Sequence, residues 1–174
     1  MSRSGAVTFK GNPLTLAGEA VKAGQQAPPF KLHRYVDGKM SEVTPETLRG
    51  RPTIISVVPS LDTPVCQVQT KKFNESLGAL GDKINAVTVS LDLPFAMNRF
   101  CGAEKITSLI SASDYQDRSF GQNWGMLIEE LKILARGVFV LDAQGKVVYA
   151  EQVKEVAEEP NYDAALAALK SLVK

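Results

Sequence analysis

An apolar run rich in β-branched residues, Thr53 to Val58, constrains the fold of this chain more than any other segment. Such a run is typical of a strand that is buried on both faces of a sheet. The segment after it, from about Val65 to Leu80, has apolar residues at helical spacing with charged residues between them. The pattern predicts an amphipathic helix whose apolar stripe comprises Val65, Val68, Phe73, Leu77 and Leu80.

Strands and helices alternate in the central part of the chain. Ile84 to Leu91 indicates a second strand and Phe95 to about Cys101 a second helix. A loop and a short strand follow between Thr107 and Ser113, and Gly121 to Leu134 has mixed character. This alternation predicts a partly parallel sheet that is covered by helices on both faces.

Two hairpins flank this centre. Gly11-Asn12-Pro13 lies between two short strand-like segments, which predicts an N-terminal β-hairpin. Gly137 to Leu141 and Lys146 to Ala150 form a second hairpin, and an amphipathic helix from Tyr162 to Val173 follows. This order of elements is that of a thioredoxin-like fold. We therefore expect one α/β domain over residues 1–174, with a central mixed sheet flanked by helices and an N-terminal β-hairpin.

The charge and cysteine content narrow the class of protein. The 20 basic and 19 acidic residues give a net charge of +1, so there is no bulk reason to expect binding to nucleic acid or an anionic membrane. No apolar run has the length of a membrane span, and the first residues lack the apolar stretch of a signal peptide, so we expect a cytoplasmic protein. In a reducing cytosol a cysteine pair is more often catalytic, redox-sensing or metal-binding than a structural disulfide.

The metal-binding alternative has little support. The only cysteines, Cys66 and Cys101, are 35 positions apart, and the only histidine is His33. A structural zinc site usually requires four Cys or His ligands, so these three residues are too few. His33 alternates with apolar residues in a short strand at Phe30 to Tyr35, which predicts that it faces solvent without a catalytic role. The chain also has no glycine-rich nucleotide fingerprint, and we expect no cofactor.

Cys66 lies where the buried strand passes into the first helix. Unpaired N–H groups and the positive end of the helix dipole stabilise a thiolate in the first turn of a helix. Pro64 suits the first helical position, and Asp62 or Thr63 could cap the helix. Because the thiolate is the nucleophilic form, this position favours a reactive cysteine. The alternative is a cysteine that packs in the core of an ordinary capped helix.

The residues before Cys66 carry a family resemblance. The stretch Pro59-Ser60-Leu61-Asp62-Thr63-Pro64-Val65-Cys66 resembles the active-site signature of the peroxiredoxins, with Pro59, Thr63 and Cys66 at the matching positions. It is most similar to the thiol peroxidase branch, the bacterial atypical two-cysteine peroxiredoxins. The resemblance covers nearly the whole chain and includes residues 92–96, 99–104, 124–125, 134–138 and 159–166. It implies a thioredoxin-like fold with an N-terminal hairpin.

The resemblance implies a role for each residue of the signature. Cys66 would be the peroxidatic cysteine, and Thr63 would offer its hydroxyl to the thiolate and the peroxide. Arg136 would favour the thiolate and orient the substrate, because an arginine stays protonated and presents several donors in one plane. Pro59 would shield the thiolate from water. The alternatives are that Pro59 only ends a strand and that Arg136 belongs to a surface salt bridge.

Cys101 would be the resolving cysteine of the same chain. The resemblance implies that it attacks the oxidised Cys66 to form an intramolecular disulfide, which thioredoxin then reduces. A disulfide requires the two Cα atoms to lie within about 7 Å, so we expect local unwinding near both cysteines on oxidation. A purely structural disulfide is the alternative. The resemblance also implies a homodimer.

The sequence therefore favours a thiol-dependent peroxidase that reduces hydrogen peroxide and organic hydroperoxides in antioxidant defence. Two other classes remain open. One is a redox-sensing module that passes oxidation to a partner protein, and the other is a thioredoxin-like scaffold whose cysteines only pack. A C-x-x-C oxidoreductase is disfavoured because that motif is absent.

Overall fold

The computed structural model describes residues 1–174. It contains eleven β-strands and four α-helices, with two short 3₁₀ helices at Glu46–Leu48 and Gly81–Lys83. The strands are β1 (Ser2–Phe9), β2 (Asn12–Ala17), β3 (Leu32–Val36), β4 (Lys39–Val43), β5 (Thr53–Val57), β6 (Asn85–Ser90), β7 (Ile110–Ser113), β8 (Leu127–Ile128), β9 (Ile133–Leu134), β10 (Gly137–Leu141) and β11 (Val147–Gln152). The helices are α1 (Pro64–Leu77), α2 (Pro94–Ala103), α3 (Ser119–Asn123) and α4 (Tyr162–Lys170).

A seven-stranded mixed sheet forms the centre of the fold. Its strand order is β11-β10-β5-β6-β7-β3-β4. The three neighbours β5, β6 and β7 are parallel, as expected for strands that are joined by helical crossovers. All other neighbouring pairs in the sheet are antiparallel. The predicted α/β fold with a central mixed sheet is confirmed.

Alternation along the central strands creates two apolar layers. In β5, Ile54 faces the layer under α1 and α4, whereas Ile55 and Val57 face the opposite layer. All five residues of β5 are buried, as predicted for a strand covered on both faces. The opposite layer is closed by α3 and by a four-stranded sheet of order β1-β2-β8-β9.

The N-terminal hairpin, β1 and β2, belongs to that smaller sheet. Its turn lies at Lys10 and Gly11, which both have positive φ, of 50° and 83°. Such turns match the twist of paired strands, and this one begins one residue earlier than Gly11-Asn12-Pro13 suggested. The backbone N–H of Thr8 donates to the Lys154 carbonyl, and the N–H of Val156 donates to the Thr8 carbonyl. The hairpin is thereby joined to the segment that follows β11.

Trp124 is the largest fully buried side chain of the protein. It stacks on Phe120, with ring centroids 4.9 Å apart, and meets Phe139 edge-on at 5.0 Å. Its indole N–H donates to the Pro28 carbonyl, so the one polar group of the ring is satisfied. Gly125 follows with a φ of 67°, and a Cβ there would lie 2.3 Å from the Glu19 carbonyl oxygen. Only glycine fits at this position.

Two expectations about side-chain orientation are wrong. The predicted stripe of α1 included Val68, which is 41% exposed, and the helix ends at Leu77 rather than Leu80. The buried face of α1 is instead partly polar and contains Cys66, Gln69, Thr70, Phe73 and Leu77. His33 was expected to face solvent, but it is only 7% exposed and packs edge-on against the Tyr115 ring.

None of the four helices combines the length and apolar character that a membrane-crossing helix needs.

The two residues Phe73 and Val68 allow a direct test of the face that α1 buries. Replacing the fully buried Phe73 with alanine should lower the free energy of unfolding by about 3–5 kcal/mol, because the ring leaves a cavity under the sheet. Val68→Ala, on the same helix but exposed, should change it by less than about 0.5 kcal/mol. Urea denaturation of the reduced proteins measures both values. Equal losses would contradict this orientation of α1.

Candidate active site

Cys66 lies in the first turn of α1, two residues after Pro64. Its side chain is fully buried, in an apolar cluster with Val58, Leu61 and Met97. The strand β5 ends at Val57, and the buried Pro59 lies two residues further on, in the loop that leads to α1. The sulfur is therefore held at the start of a helix and away from bulk water, close to the unpaired N–H groups of the first helical turn.

Arg136 approaches the sulfur from the far end of the sequence. It is 2% exposed and lies immediately before β10. Its Nη2 donates to the Cys66 Sγ over 3.3 Å, its Nη1 donates to Gln69 Oε1 over 2.9 Å, and its Nε donates to the Val156 carbonyl over 2.8 Å. The structure thus places Arg136 in the core and not in a surface salt bridge.

The guanidinium of Arg136 has no carboxylate partner within ion-pair distance. Its other two acceptors, an amide oxygen and a backbone carbonyl, are neutral. A buried charge without a counter-ion is costly, so an anionic group in contact with it is strongly favoured. The Cys66 sulfur is the one contacting atom that can supply this negative charge.

Gln69 is a site residue that the sequence reasoning missed. It lies one turn after Cys66 on α1 and is fully buried. Its Nε2 donates to Ser56 Oγ over 2.8 Å while its Oε1 accepts from Arg136. The amide thereby fixes the guanidinium relative to β5. The available signal was a polar residue three positions after the cysteine, on the helix face that the cysteine shares.

Thr63 occupies the N-cap position of α1 but does not cap the helix with its side chain. Its hydroxyl instead donates to the Ser60 carbonyl over 2.9 Å, which closes the loop before the helix. Asp62 is exposed and makes no capping bond either, so the expectation of a side-chain cap is wrong. The hydroxyl makes no hydrogen bond to the Cys66 sulfur.

Cys101 lies in α2 and is half-buried. Its thiol donates to Ser111 Oγ over 3.4 Å. Burial raises the pKa of the Cys101 thiol, which outweighs the opposing effects of the Ser111 hydrogen bond and the Arg34 charge. Both cysteines are free, and each sulfur has its own partner. The structure therefore shows the reduced arrangement, with both cysteines inside helices.

Comparison with known proteins identifies the family. The family model described as Redoxin matches residues 22–166. The chain belongs to the redoxin family. No group of three or more His, Cys, Asp or Glu side chains is placed to hold a metal ion in this redoxin.

Relatives and solved structures place this redoxin more narrowly. A thiol peroxidase of Bacillus subtilis is 50% identical over 168 residues, which is 97% of this chain and 98% of the relative. A thiol peroxidase of Staphylococcus haemolyticus is 49% identical over 166 residues, which is 95% of this chain and 98% of the relative. The crystal structure of a peroxiredoxin-like protein from Aquifex aeolicus has a TM-score of 0.86 at 40% identity, with 98% of each chain covered. The resemblance to the bacterial thiol peroxidases is confirmed, and the chain is a peroxiredoxin-type peroxidase.

The thiol peroxidase of Chromobacterium violaceum extends the likeness of fold to a distant relative. Its structure has a TM-score of 0.83 and covers 95% of both chains, although the sequences are only 19% identical. At that identity the match shows the fold alone. The thioredoxin-like architecture of the redoxin is therefore kept while most side chains differ.

The contact between Arg136 and Cys66 predicts the ionisation state of the sulfur. In a Cys101→Ser background, which leaves one thiol, Arg136→Met should lower the ratio of thiolate to thiol in the reduced protein at neutral pH by about tenfold, because a hydrogen bond from a charged donor is lost. Ultraviolet titration measures it. The control is Arg34→Met, which removes the same charge near Cys101 and should leave the Cys66 absorbance unchanged. Equal absorbance in both variants would contradict the role of Arg136.

Proposed function

We propose that this chain reduces hydrogen peroxide and organic hydroperoxides with Cys66 as the nucleophile. The observation that carries the proposal is the 3.3 Å contact between the buried Arg136 guanidinium and the Cys66 sulfur. A cysteine that only packs in the core has no need of a buried arginine beside its sulfur. This arginine has no carboxylate within ion-pair distance, so the contact supports a chemical role for Cys66. The match to thiol peroxidases over nearly the whole chain supports the same chemistry.

The first step is the transfer of one oxygen atom. The Cys66 thiolate attacks the terminal oxygen of the hydroperoxide, an S–O bond forms and the O–O bond breaks. Cys66 becomes a sulfenic acid, and the departing oxygen takes up a proton and leaves as water or as an alcohol. Negative charge develops on that oxygen during the step, so hydrogen-bond donors that are already in place lower the barrier.

Three further residues prepare this step in the proposed mechanism. Arg136 holds the thiolate and presents guanidinium N–H groups to the peroxide. Thr63 turns its hydroxyl, which now donates to the Ser60 carbonyl, towards the sulfur and the peroxide. Pro59, buried in the loop after β5, keeps water from the thiolate.

Cys101 completes the oxidised state as the resolving cysteine. Its thiol loses its proton and attacks the Cys66 sulfur, an S–S bond forms and the S–O bond breaks, and the departing oxygen takes up that proton and leaves as water. In the reduced arrangement Cys66 contacts Arg136, and Cys101 contacts Ser111 from within α2. We therefore propose that residues near both cysteines unwind before the disulfide forms.

The disulfide then requires a dithiol reductant, and we propose thioredoxin in the cytoplasm. We also propose that residues 1–174 act as one domain and that two copies form a homodimer. Leu93 and Phe95 at the start of α2 are 53% and 57% exposed, which supports an apolar contact surface on this side of the molecule. No cofactor takes part in the proposed cycle.

The assignment of the nucleophile has a direct test. Cys66→Ser should abolish peroxide consumption in an assay with thioredoxin as the electron donor, because the oxygen-accepting sulfur is gone. A substitution of the exposed helix residue Val68 to alanine serves as the control and should retain the wild-type rate. If the wild-type protein is oxidised once but not recycled by thioredoxin, the chain acts as a sensor and not as a peroxidase. Full activity of Cys66→Ser would refute the assignment.

The role of Cys101 predicts a different defect. Cys101→Ser should still consume one equivalent of peroxide, but thioredoxin should no longer recycle it. The sulfenic acid then has no resolving partner, so excess peroxide should convert Cys66 to the sulfinic acid. Mass spectrometry of the intact protein distinguishes these oxidation states. A Cys101→Ser protein that turns over with thioredoxin at the wild-type rate would rule out the intramolecular disulfide.

A further inference from the structure

Asp92 makes more hydrogen bonds than any other carboxylate near the two cysteines. It is half-buried between β6 and α2. Its Oδ1 accepts from the Ser60 hydroxyl over 2.8 Å, and its Oδ2 accepts from the Leu61 N–H over 2.8 Å and from the Ser90 hydroxyl over 2.6 Å. None of these groups takes part in the proposed oxygen transfer.

These bonds join the two segments that carry the cysteines. Ser60 and Leu61 belong to the loop between β5 and α1, which leads to Cys66. Asp92 is two residues before the start of α2, the helix that contains Cys101. The bond from Ser90 fixes the carboxylate to the end of β6, within the rigid sheet. One side chain therefore holds the cysteine loop against the start of the other cysteine's helix.

Ser60 passes this constraint on to the rest of the loop. Its hydroxyl oxygen accepts from the Asp62 N–H, and its carbonyl accepts from the Thr63 hydroxyl. Thr63 is the N-cap residue, immediately before the first residue of α1. The hydrogen bonds of Ser60 therefore stabilise the conformation of the loop before α1. The hydrogen bond to Asp92 in turn fixes the position of Ser60.

The far end of α2 is attached differently. Asn74, in the last turn of α1, accepts from the N–H groups of Thr107 and Ser108, and Lys71 forms an ion pair with Glu104. These contacts leave the loop of residues 59–63 untouched. The loop can therefore open without the loss of the contacts that hold α1 to the segment after α2.

We propose that Asp92 is a positioning residue that holds this loop in its compact form, and that release of its hydrogen bonds precedes disulfide formation. The proposal rests on the proposed function, in which Cys101 attacks the Cys66 sulfenic acid. While the loop stays in its compact form, Cys101 cannot reach the sulfur, and Cys66 remains a sulfenic acid. A second peroxide can then add another oxygen to the sulfur, which gives the sulfinic acid and one more water or alcohol. Asp92 would thus determine which fraction of oxidised Cys66 becomes the disulfide and which fraction becomes the sulfinic acid.

Asp92→Asn tests this division. The amide keeps the shape of the side chain but has one accepting oxygen instead of two and carries no charge. We expect the ratio of disulfide to sulfinic acid at a fixed excess of peroxide to rise by about tenfold, because hydrogen bonds to a charged acceptor are lost. Ser60→Ala removes one of the two bonds that the loop donates to Asp92, together with the bond from the Asp62 N–H to the same hydroxyl, and should shift the ratio in the same direction. Mass spectrometry of the oxidised proteins gives both products.

Asp142→Asn is the matched control. Its carboxylate also accepts backbone N–H bonds in a turn, from Gln144 and Lys146, but it lies in the hairpin between β10 and β11. It should leave the ratio unchanged. A ratio within about twofold of wild type for Asp92→Asn and Ser60→Ala, or an equal rise for Asp142→Asn, would overturn the proposal.

A second oxidant separates this proposal from the proposed function. Diamide accepts two electrons and two protons from a pair of thiols and forms the Cys66–Cys101 disulfide without any peroxide. Asp92→Asn should form this disulfide about tenfold faster than wild type, since the loop still has to open. If peroxide gives no sulfenic acid while diamide shows this acceleration, the peroxidase proposal fails and the role of Asp92 stands. An unchanged diamide rate would refute the role of Asp92.

Discussion

The chemistry proposed for this redoxin depends on one buried contact, the hydrogen bond from Arg136 to the sulfur of Cys66. The arginine brings a permanent charge into a layer from which water is excluded, and no carboxylate lies within ion-pair distance of it. Gln69 and the Val156 carbonyl occupy its other donors with neutral acceptors. The sulfur is left as the only group in contact that can carry the opposite charge.

The mixed sheet explains how residues 70 positions apart meet in this contact. Strand β10 runs antiparallel to β5, and Gly137 pairs with Val57. Arg136, just before β10, therefore lies beside the point where β5 ends and the cysteine loop begins. The parallel pairing of β5 with β6 brings Asp92 to the same edge of the sheet, because the carboxyl ends of parallel strands lie together. The site is assembled at the ends of three neighbouring strands.

Local patterns were sufficient to predict most of the backbone and the position of Cys66. The apolar run of β5, the two hairpins and the start of α1 all carry short-range signals in hydrophobicity, turn residues and proline. The failures concern which side chains are buried, since burial depends on partners from distant segments. Gln69 is buried because Arg136 and Ser56 satisfy its amide, and neither is near it in the sequence. His33 is covered by the Tyr115 ring, and Val68 is exposed because the sheet lies under the other face of α1.

The shelter of Cys101 within α2 has a consequence for the order of events in the proposed cycle. Because desolvation raises its pKa, this thiol keeps its proton and is a poor nucleophile while the helix is intact. Unwinding would hydrate the sulfur and remove the cause of that rise, so the same motion that delivers the second thiol would also make it reactive. In this cycle the peroxide encounters one nucleophilic sulfur, that of Cys66. The Cys101 sulfur becomes nucleophilic only after Cys66 has been oxidised.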